Sequence, residues 1–579
     1  MSNRKIAILS HLPQLLLITA LNCIMMLEPF LYGTKAAMLD ANAHILTISQ
    51  FYKALGDGEF PVMWADKFAN YGLPLGTIAH QVPNYLGGLL TFITHNPLTS
   101  YYLLILIALI GSAVGVYLLL ILLVSSEAAL VATTIYTFAT YRITNIYVRG
   151  AMPELFMTIW IAYILIALIR IQRDHRPSSY FLLTILFTLL ILSHPMSLIL
   201  YIPFILILSV GIFKDSRTHI WGVGISLIAA GALSAYYLLP LKLESKYLYM
   251  GANNNLLVYD QSVDWAAISS PSLRYACTEL NYIFWRCADI SFGKLEVILV
   301  IVIGICAVIW LLMRMRIIPG SNRVTNYFRI SFSSDIAKRI FVLSVGCASI
   351  AFLLSSSLTE YLYAHISLLG SIQIPSRFLS VYYFFFAIII AFLYDSISHR
   401  KFISLLILSI LSVLIVTLQF PQIYGKNYTH IPMGNFFFSK ENYHGLMVQP
   451  KWTIDSRSYP VVPEKALIMS GKGTIEKRIL KNASRRYLIH ADTEVLVNDH
   501  TFYFPGWNVY IDGADTEIQF QDPSYRGVIT FQVPPGKHEV LVIYEDTKVR
   551  QWGKYISLIS LAAFIFLLFR TRMVKADLK

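Results

Sequence analysis

Asp40 and His44 are a carboxylic acid and an imidazole four positions apart, so on an α-helix both side chains lie on one face. Apolar residues continue the helical spacing after them: Ile45, Ile48, Phe51 and Leu55. This pattern predicts an amphipathic helix lying at a membrane interface. A carboxylate held there can act as a general base or bind a metal ion. The alternative is an Asp that caps the helix and a His that faces solvent.

A second group of charged residues surrounds Gly150 and Pro153, with Arg142 and Arg149 before them and Glu154 after them. Charges near the end of a membrane span are costly unless they are paired or line a cavity. Arg149 and Glu154 can pair with each other. Alternatively, Arg149 contacts a phosphoryl group, whose geometry suits the planar guanidinium fork.

His194 and Arg377 are two further candidates that lie at predicted span ends. Ser193-His194-Pro195 interrupts two apolar blocks, and Arg377 stands between apolar residues in the segment 372–378. His194 is either a hydrogen-bonded turn residue or a substrate contact. Arg377 is either an interfacial side chain with its charge in water or a second phosphate contact.

These acids and arginines collect at one predicted end of the spans, and charged residues are sparse in the middle of most spans. That distribution favours a site at the outer membrane face acting on a lipid phosphate, and argues against an ion path through the membrane centre. No Walker motif, Rossmann fingerprint or nucleophile elbow occurs, so we expect no nucleotide cofactor. No pair of CxxC motifs and no zinc-type His spacing occurs either.

The elements that must hold these residues are membrane helices. The chain has 579 residues, of which 56% are hydrophobic and 14% charged, with a mean hydropathy of +0.60. The apolar residues form blocks of roughly 18–25, which is the length that crosses a bilayer as a helix. The formal charge of +13 does not indicate nucleic-acid binding, because much of it lies in short loops between the blocks.

Hydropathy predicts about 12 spans. They lie near residues 6–31, 99–124, 127–143, 154–171, 179–193, 195–213, 219–241, 292–313, 340–358, 378–396, 402–420 and 552–570. The Lys and Arg residues of the intervening loops place both termini in the cytoplasm by the positive-inside rule. The predicted location is the plasma or inner membrane.

Three predicted outer segments, 32–98, 242–291 and 421–551, are too long to be simple connectors. Short alternating runs between residues 486 and 544, separated by turn sequences such as Pro505-Gly506 and Asp512-Gly513, predict a small β-sandwich. The predicted domains are therefore a membrane domain at 1–420, an extracytoplasmic domain with a β-sandwich at 421–551, and a final span with a basic cytoplasmic tail at 552–579. Cys277 and Cys287 share the second segment, and a disulfide between them is left open.

A series of short motifs spans nearly the whole chain: Asp40 to His44, Pro61 and Trp64, Tyr71-Gly72-Leu73-Pro74, Arg149-Gly150 to Glu154, Ser193-His194-Pro195, Gln373-Ile374-Pro375-Ser376-Arg377-Phe378, and Tyr503-Phe504-Pro505-Gly506-Trp507 to Asp512-Gly513. Taken in this order, the motifs resemble a bacterial family of polytopic membrane proteins, the 6-pyruvoyl-tetrahydropterin synthase-related and YfhO-like proteins. Ser376 departs from the pattern, which has Trp before the Arg, and this departure leaves the substrate open.

That family looks like the GT-C class of glycosyltransferases, which take sugar from a polyprenyl-phosphate carrier on the outer membrane face. The resemblance implies a mainly α-helical, GT-C-like membrane fold in which Asp40 is the base that activates an acceptor hydroxyl. It implies that Arg149 and Arg377 hold the lipid phosphate and that Glu154 and His194 orient the substrate. His44, on the same helix face as Asp40, is the remaining substrate-binding candidate.

The expected partners are a lipid-linked sugar donor, a cell-envelope glycan or lipid acceptor, and membrane lipids. No pterin chemistry is expected, because the zinc-binding His set that it needs is missing. The cofactor is left open, with a divalent cation as one option. Two other classes of function stay open: a transporter or flippase for a lipid-linked precursor, and a non-catalytic envelope assembly protein that binds glycan through its β-domain.

Overall fold

The protein is described by a computed structural model. The residues that the structure describes are 10–32, 35–36, 40–66, 71–174, 176–250, 294–314, 330, 332–372, 374–398, 401–423, 428–429, 448–453, 459–460 and 464–577. Cys277 and Cys287, whose pairing the sequence leaves open, lie outside these ranges.

Most of the described chain is helical. The α-helices, in chain order, are α1 (Leu12–Met25), α2 (Leu27–Tyr32), α3 (Ala41–Gly56), α4 (Leu75–Ile78), α5 (Gln81–Thr94), α6 (Pro97–Leu120), α7 (Ser126–Thr137), α8 (Thr140–Thr144), α9 (Met152–Asp174), α10 (Pro177–Ser193), α11 (Ser197–Leu200), α12 (Ile202–Ile212), α13 (Arg217–Leu233), α14 (Ala235–Glu244), α15 (Lys294–Arg314), α16 (Asp335–Ser355), α17 (Glu360–His365), α18 (Ser367–Gly370), α19 (Phe378–Ser398), α20 (Lys401–Leu414), α21 (Phe420–Ile423) and α22 (Lys548–Asp577).

Five helical segments of the described chain are long and apolar enough to cross a membrane: Pro97–Leu120, Met152–Asp174, Asp335–Ser355, Pro375–Ile397 and Lys548–Thr571. A sixth would be the pair Arg217–Leu233 and Ala235–Tyr247, if this pair, which bends by 73°, is counted as one span. Shorter apolar helices lie at Leu12–Met25, Pro177–Ser193, Ser197–Ile212 and Ser404–Gln419. The prediction of several apolar helices long enough to cross a membrane is confirmed. The count of about twelve spans stays a prediction.

Two larger antiparallel sheets lie in the chain between α21 and α22. The strands of the described chain are β1 (Lys35–Ala36), β2 (Leu248–Met250), β3 (Tyr428–Thr429), β4 (Val448–Pro450), β5 (Ala466–Ser470), β6 (Gly473–Leu480), β7 (Ser484–Ala491), β8 (Val495–Phe502), β9 (Trp507–Ile511), β10 (Ala514–Thr516), β11 (Val528–Val533) and β12 (Gly536–Tyr544). The two larger sheets have the orders β10-β9-β12-β7-β6 and β11-β8-β5, and two further sheets are the pairs β1-β3 and β2-β4. Alternate residues of β7 and β9 are buried, and residues of both sheets share one apolar core.

The β-sandwich prediction is confirmed, because the region from residue 486 to residue 544, where the alternating runs were predicted, forms strands of two sheets with one shared core. The turn at Asp512-Gly513 is confirmed as well. Both residues have positive φ, at 50° and 85°, and the flanking Ile511 and Ala514 pair across it. Two positive φ values are what a two-residue type I′ hairpin requires, and Asp-Gly supplies them at low steric cost.

The chain divides into two compact units. Unit 1 contains residues 1–39, 105–228 and 253–429, and unit 2 contains residues 40–104, 229–252 and 430–579. Both units are discontinuous in sequence. Unit 2 holds the sandwich, and its apolar core also contains Trp64, which is fully buried and lies 5.1 Å from Trp507 between ring centroids.

Candidate functional site

Glu154, Arg149 and Arg377 meet in the interior of unit 1. Arg149 Nη1 lies 2.7 Å from Glu154 Oε2, and Arg377 Nε lies 3.3 Å from the same oxygen. Glu154 and Arg149 side chains are each 2% exposed. Two guanidinium groups therefore share one carboxylate oxygen in a water-poor environment. We call these residues, with Tyr141 and Asn145, the acid–arginine cluster.

One helical segment supplies three members of this cluster. Helix α8 continues into a π-helical turn, Asn145–Arg149, and the spacing of Tyr141, Asn145 and Arg149 places them about one turn apart on one face. The Tyr141 hydroxyl donates to Glu154 Oε1 at 2.7 Å, and Asn145 Nδ2 donates to the same oxygen at 3.2 Å. Arg149 Nη1 also donates to Asn145 Oδ1 at 2.8 Å. π-Helical turns occur frequently at functional sites.

Gly150 lets the chain turn between Arg149 and the helix that carries Glu154. Its φ of 68° lies in the left-handed region, where a glycine meets no Cβ penalty. Its neighbour Ala151 donates its N–H back to the Asn145 carbonyl at 2.9 Å, and α9 then begins at Met152. Glu154 thus lies in the first turn of α9, where the helix dipole favours a carboxylate.

Arg377 reaches the cluster from a distant part of the sequence. It ends a 3₁₀ turn, Pro375–Arg377, that leads into α19. Its Nη1 donates to the Ile372 carbonyl at 2.6 Å, which fixes the guanidinium relative to the turn. The buried Ser376 precedes it. The structural alternative for Arg149, a pair with Glu154, is therefore realised, and Arg377 joins that pair rather than extending to an interface.

Asp40 and His44 lie in unit 2. Asp40 occupies the N-cap position of α3, yet its side chain does not accept the capping hydrogen bond. Asp40 therefore lies at the predicted capping position without making the side-chain capping bond. Its carboxylate interacts electrostatically with the buried Tyr101 side chain. The His44 ring lies 6.1 Å from the His80 ring between centroids.

His194 lies in unit 1, in the break between α10 and α11. It is buried, and its Nδ1 accepts the Met196 N–H at 3.2 Å. This is the bond of a turn-forming histidine, the structural alternative that the sequence left open. Its predicted role as a substrate contact stays a prediction.

Glu296 is a buried acid that the sequence reasoning did not single out. One oxygen accepts the Thr140 N–H at 2.7 Å, and the other accepts the Thr140 hydroxyl at 2.9 Å. Glu296 therefore holds the start of α8, the segment that carries the acid–arginine cluster. The sequence does mark Glu296 as a candidate, because its carboxylate stands between apolar residues at the start of a predicted span, where an acid is costly unless it has a partner.

Arg142, in α8, is a second buried charged residue to which the sequence assigns no role. It is 4% exposed. Its Nη1 donates to Ser112 Oγ at 3.1 Å, a longer contact of 3.5 Å reaches the Leu109 carbonyl, and the guanidinium lies 4.3 Å from the Tyr136 ring centroid. All of these partners are neutral.

Burying an ion costs several kcal/mol even after the protein relaxes. A desolvated cation–π contact offsets about 2 kcal/mol of that cost, and a hydrogen bond at 3.5 Å contributes little. Within the described ranges no carboxylate forms an ion pair with Arg142. The Arg142 charge is therefore only partly compensated.

Among the residues that the structure describes, no group of three or more His, Cys, Asp or Glu side chains is arranged to hold a metal ion.

No protein-family model matches the chain, and no curated protein matches it. Among solved structures, the chain is similar to the cryo-EM structure of the arabinofuranosyltransferase AftD from Mycobacteria, at 11% identity and a TM-score of 0.40. The match covers 72% of this chain and 27% of that one, so the chain spans about a quarter of that protein's length. A similarity at this level does not establish a shared fold or activity, and the GT-C-like fold stays a prediction from the motifs.

Proposed function

We propose that the chain is a membrane glycosyltransferase that moves a sugar from a polyprenyl-phosphate donor to a cell-envelope glycan or lipid acceptor on the outer membrane face. The apolar helices support a membrane location. The observation that carries the proposal is the meeting of Arg149 and Arg377 on one buried carboxylate. Arg149 and Arg377 are distant in sequence, and the resemblance implies that both contact the lipid phosphate.

In this proposal the acceptor hydroxyl attacks the anomeric carbon of the sugar, and the bond from that carbon to the phosphate oxygen breaks. Asp40 takes the hydroxyl proton as a general base. The departing phosphate keeps the bonding electron pair, and its growing negative charge is stabilised by Arg149 and Arg377. Fixed guanidinium groups in a water-poor site stabilise such a charge without reorganising.

Glu154 has two effects in this scheme. It holds both guanidinium groups in place before the ligand arrives, which lowers the cost of orienting them in the transition state. It also attenuates their charge, so that the product phosphate can leave. His44 and His194 are assigned to substrate orientation.

The test is transfer of radiolabelled sugar from a polyprenyl-phosphate donor in membranes that carry the wild-type chain or Asp40→Asn. Because a positioned general base contributes about 10²–10⁴-fold, we expect the Asn variant to lose at least a hundredfold in rate at equal expression. Asp515→Asn is the matched control, since Asp515 is an exposed carboxylate of the same unit.

Full transfer by the Asp40→Asn variant would remove Asp40 as the base and make Glu154 the next candidate. If the wild type transfers no sugar from any lipid-linked donor, the glycosyltransferase proposal is wrong. The transport and assembly alternatives would then take its place.

A further inference from the structure

One end of the β-sandwich carries large apolar side chains that are exposed. Ile479 and Leu480 end strand β6, and their exposed fractions are 45% and 48%. A register shift interrupts the pairing of β6 with β7 between Lys477 and Ile479. In a regular strand successive side chains point to opposite faces, so one of two neighbours would face the core. Past the shift both are exposed, and neighbouring exposed apolar side chains of this kind mark an interaction surface.

Phe60 is a third exposed apolar residue at this end. It lies in the loop after α3, and its exposed fraction is 78%. The buried Asn482, in the turn between β6 and β7, holds that loop. Its side-chain amide donates to Glu59 Oε2 at 2.6 Å and to the Trp64 carbonyl at 2.5 Å. The loop and the turn are thus joined by hydrogen bonds, and we call their exposed apolar residues the apolar rim: Phe60, Ile479 and Leu480.

The apolar rim lies at the end of the sandwich from which the last helix leaves. Ile543, near the end of β12, pairs with Ser484 at the start of β7. The Tyr544 N–H donates to the Ala483 carbonyl at 2.9 Å. The β6–β7 turn is therefore level with the end of β12, and β6 is two strand spacings from β12, about 10 Å. Helix α22 begins shortly after β12, at Lys548.

The first turns of α22 indicate where the bilayer surface lies. Arg550 fixes the helix to the sandwich, because its Nη2 donates to the Pro505 carbonyl at 2.8 Å. Trp552 and Tyr555 follow and are exposed, and these two residue types collect at the headgroup level of membranes. Tyr555 lies about 10 Å along the helix from Lys548. The headgroup region is therefore expected close to the end of the sandwich that carries the apolar rim.

The charges around the apolar rim also suit a lipid surface. Lys477 pairs with Glu464, and Arg478 pairs with Glu476. Exposed pairs of this kind contribute little free energy, so they do not prevent contact with lipid phosphates. Long basic side chains lay their stems on apolar surface and extend their charge to the headgroups. Three exposed basic residues flank Ile479 and Leu480 in this way: Lys477, Arg478 and Lys481.

We propose that the apolar rim inserts into the headgroup–acyl boundary of the membrane that α22 spans. The sandwich is then held against the bilayer by two attachments, the helix and the rim. Because Phe60 follows the end of α3 at Gly56 by four residues, the same contact holds that end of α3 at the membrane surface. The inference makes no use of the proposed transferase activity.

The experiment is fluorescence quenching of the fluorophore NBD, attached to single introduced cysteines of the full-length chain in phospholipid nanodiscs. The rim variants are Phe60→Cys and Leu480→Cys. Thr474→Cys is the matched control, because Thr474 is also an exposed residue of β6 but lies about 20 Å along the strand from Leu480. The wild-type chain, treated in the same way, gives the background from the native cysteines.

Phospholipid that carries a doxyl quencher near its headgroup should quench the two rim labels at least threefold more than the Thr474→Cys label. Iodide, a quencher that stays in water, should give the reverse order. Because all three side chains are exposed, each variant should keep the wild-type melting temperature in detergent. Ile479→Cys provides the same measurement if one of the rim variants does not fold.

Three results would reject the inference. Rim labels that iodide quenches and doxyl lipid does not would place the rim in water. Rim labels that neither quencher reaches would show that protein covers the rim, either another segment of the chain or a second copy. Equal lipid quenching at Leu480→Cys and Thr474→Cys would contradict the position of the rim at the membrane end of the sheet. None of these readouts depends on sugar transfer.

Discussion

Replacing Glu154 by Gln tests whether the acid–arginine cluster is an ion-pair system. The change keeps the size of the side chain and one carbonyl oxygen, which can still accept from Tyr141 and Asn145. It places an amide NH₂ group near Arg149 Nη1, where the carboxylate oxygen now lies at 2.7 Å, so two donors face each other. It also leaves Arg149 and Arg377 without the carboxylate that they share.

The expected cost follows from these losses. Removing one partner of a buried ion pair destabilises a protein by about 3–5 kcal/mol, because the remaining charge is buried without compensation. Both guanidinium groups lose this partner at once, so we expect the upper part of that range. In the proposed site an added phosphate anion can replace the carboxylate, so inorganic phosphate should raise the melting temperature of the variant more than that of the wild type.

The assay is thermal unfolding of the full-length chain in detergent, with and without inorganic phosphate. Glu127→Gln is the matched control, because Glu127 is an exposed acid in the first turn of α7 in the same unit. It should change stability by less than about 0.5 kcal/mol. A double-mutant cycle with Arg149→Met should give a coupling energy between the two positions at the upper end of about 0.5–3 kcal/mol. A Glu154→Gln chain as stable as the wild type, with no coupling to Arg149, would refute the reasoning.

Two further predictions concern the β-sandwich. Burial lowers the pKa of His500 to about 4 from its ordinary 6.5, so between these pH values the unfolded chain binds a proton that the folded chain excludes. The contribution of His500 to the free energy of unfolding should be complete above pH 6.5 and decrease towards pH 4. In His500→Gln, the free energy of unfolding, followed by tryptophan fluorescence, should decrease less steeply over this range. Gly506→Ala should lower the melting temperature strongly, because φ is 114° and an added Cβ would meet the Glu545 carbonyl oxygen at 2.5 Å and Arg550 Nη1 at 2.7 Å. Gly513→Ala, also at positive φ but with nothing within 4 Å, should cost only about 1 kcal/mol, and equal effects of the two changes would contradict the steric argument.

The β-strands could be predicted from the sequence because their signal is local. Alternation along Arg486 to His490 reports one buried face directly, and Asp512-Gly513 specifies its own turn. The helix α3 (Ala41–Gly56) could be predicted from the sequence for the same reason. In each case neighbouring residues decide the conformation, so no information about distant contacts is needed.

The site could be predicted only in part. Arg149 and Glu154 are close in sequence, and their pairing was among the stated alternatives. The approach of Arg377 depends on tertiary packing, which local spacing does not report. The contact of Glu296 with the Thr140 N–H and hydroxyl joins residues 156 apart in sequence, and local spacing does not report such a contact.

The burial of Trp64 has a consequence for biosynthesis. Its indole belongs to the core of a sandwich whose strands come much later in the chain, and the neighbouring Asp66 N–H is accepted by Asn482, which is 416 residues away in sequence. At translation rates of about 5–20 residues per second, the ribosome needs about 20–80 s to make that interval. During this time the Trp64 surface has no sandwich to cover it, so the nascent chain must shield it with a membrane surface, a chaperone or its own helices. An excised sandwich lacking residues 59–66 would leave an indole-sized cavity in its core.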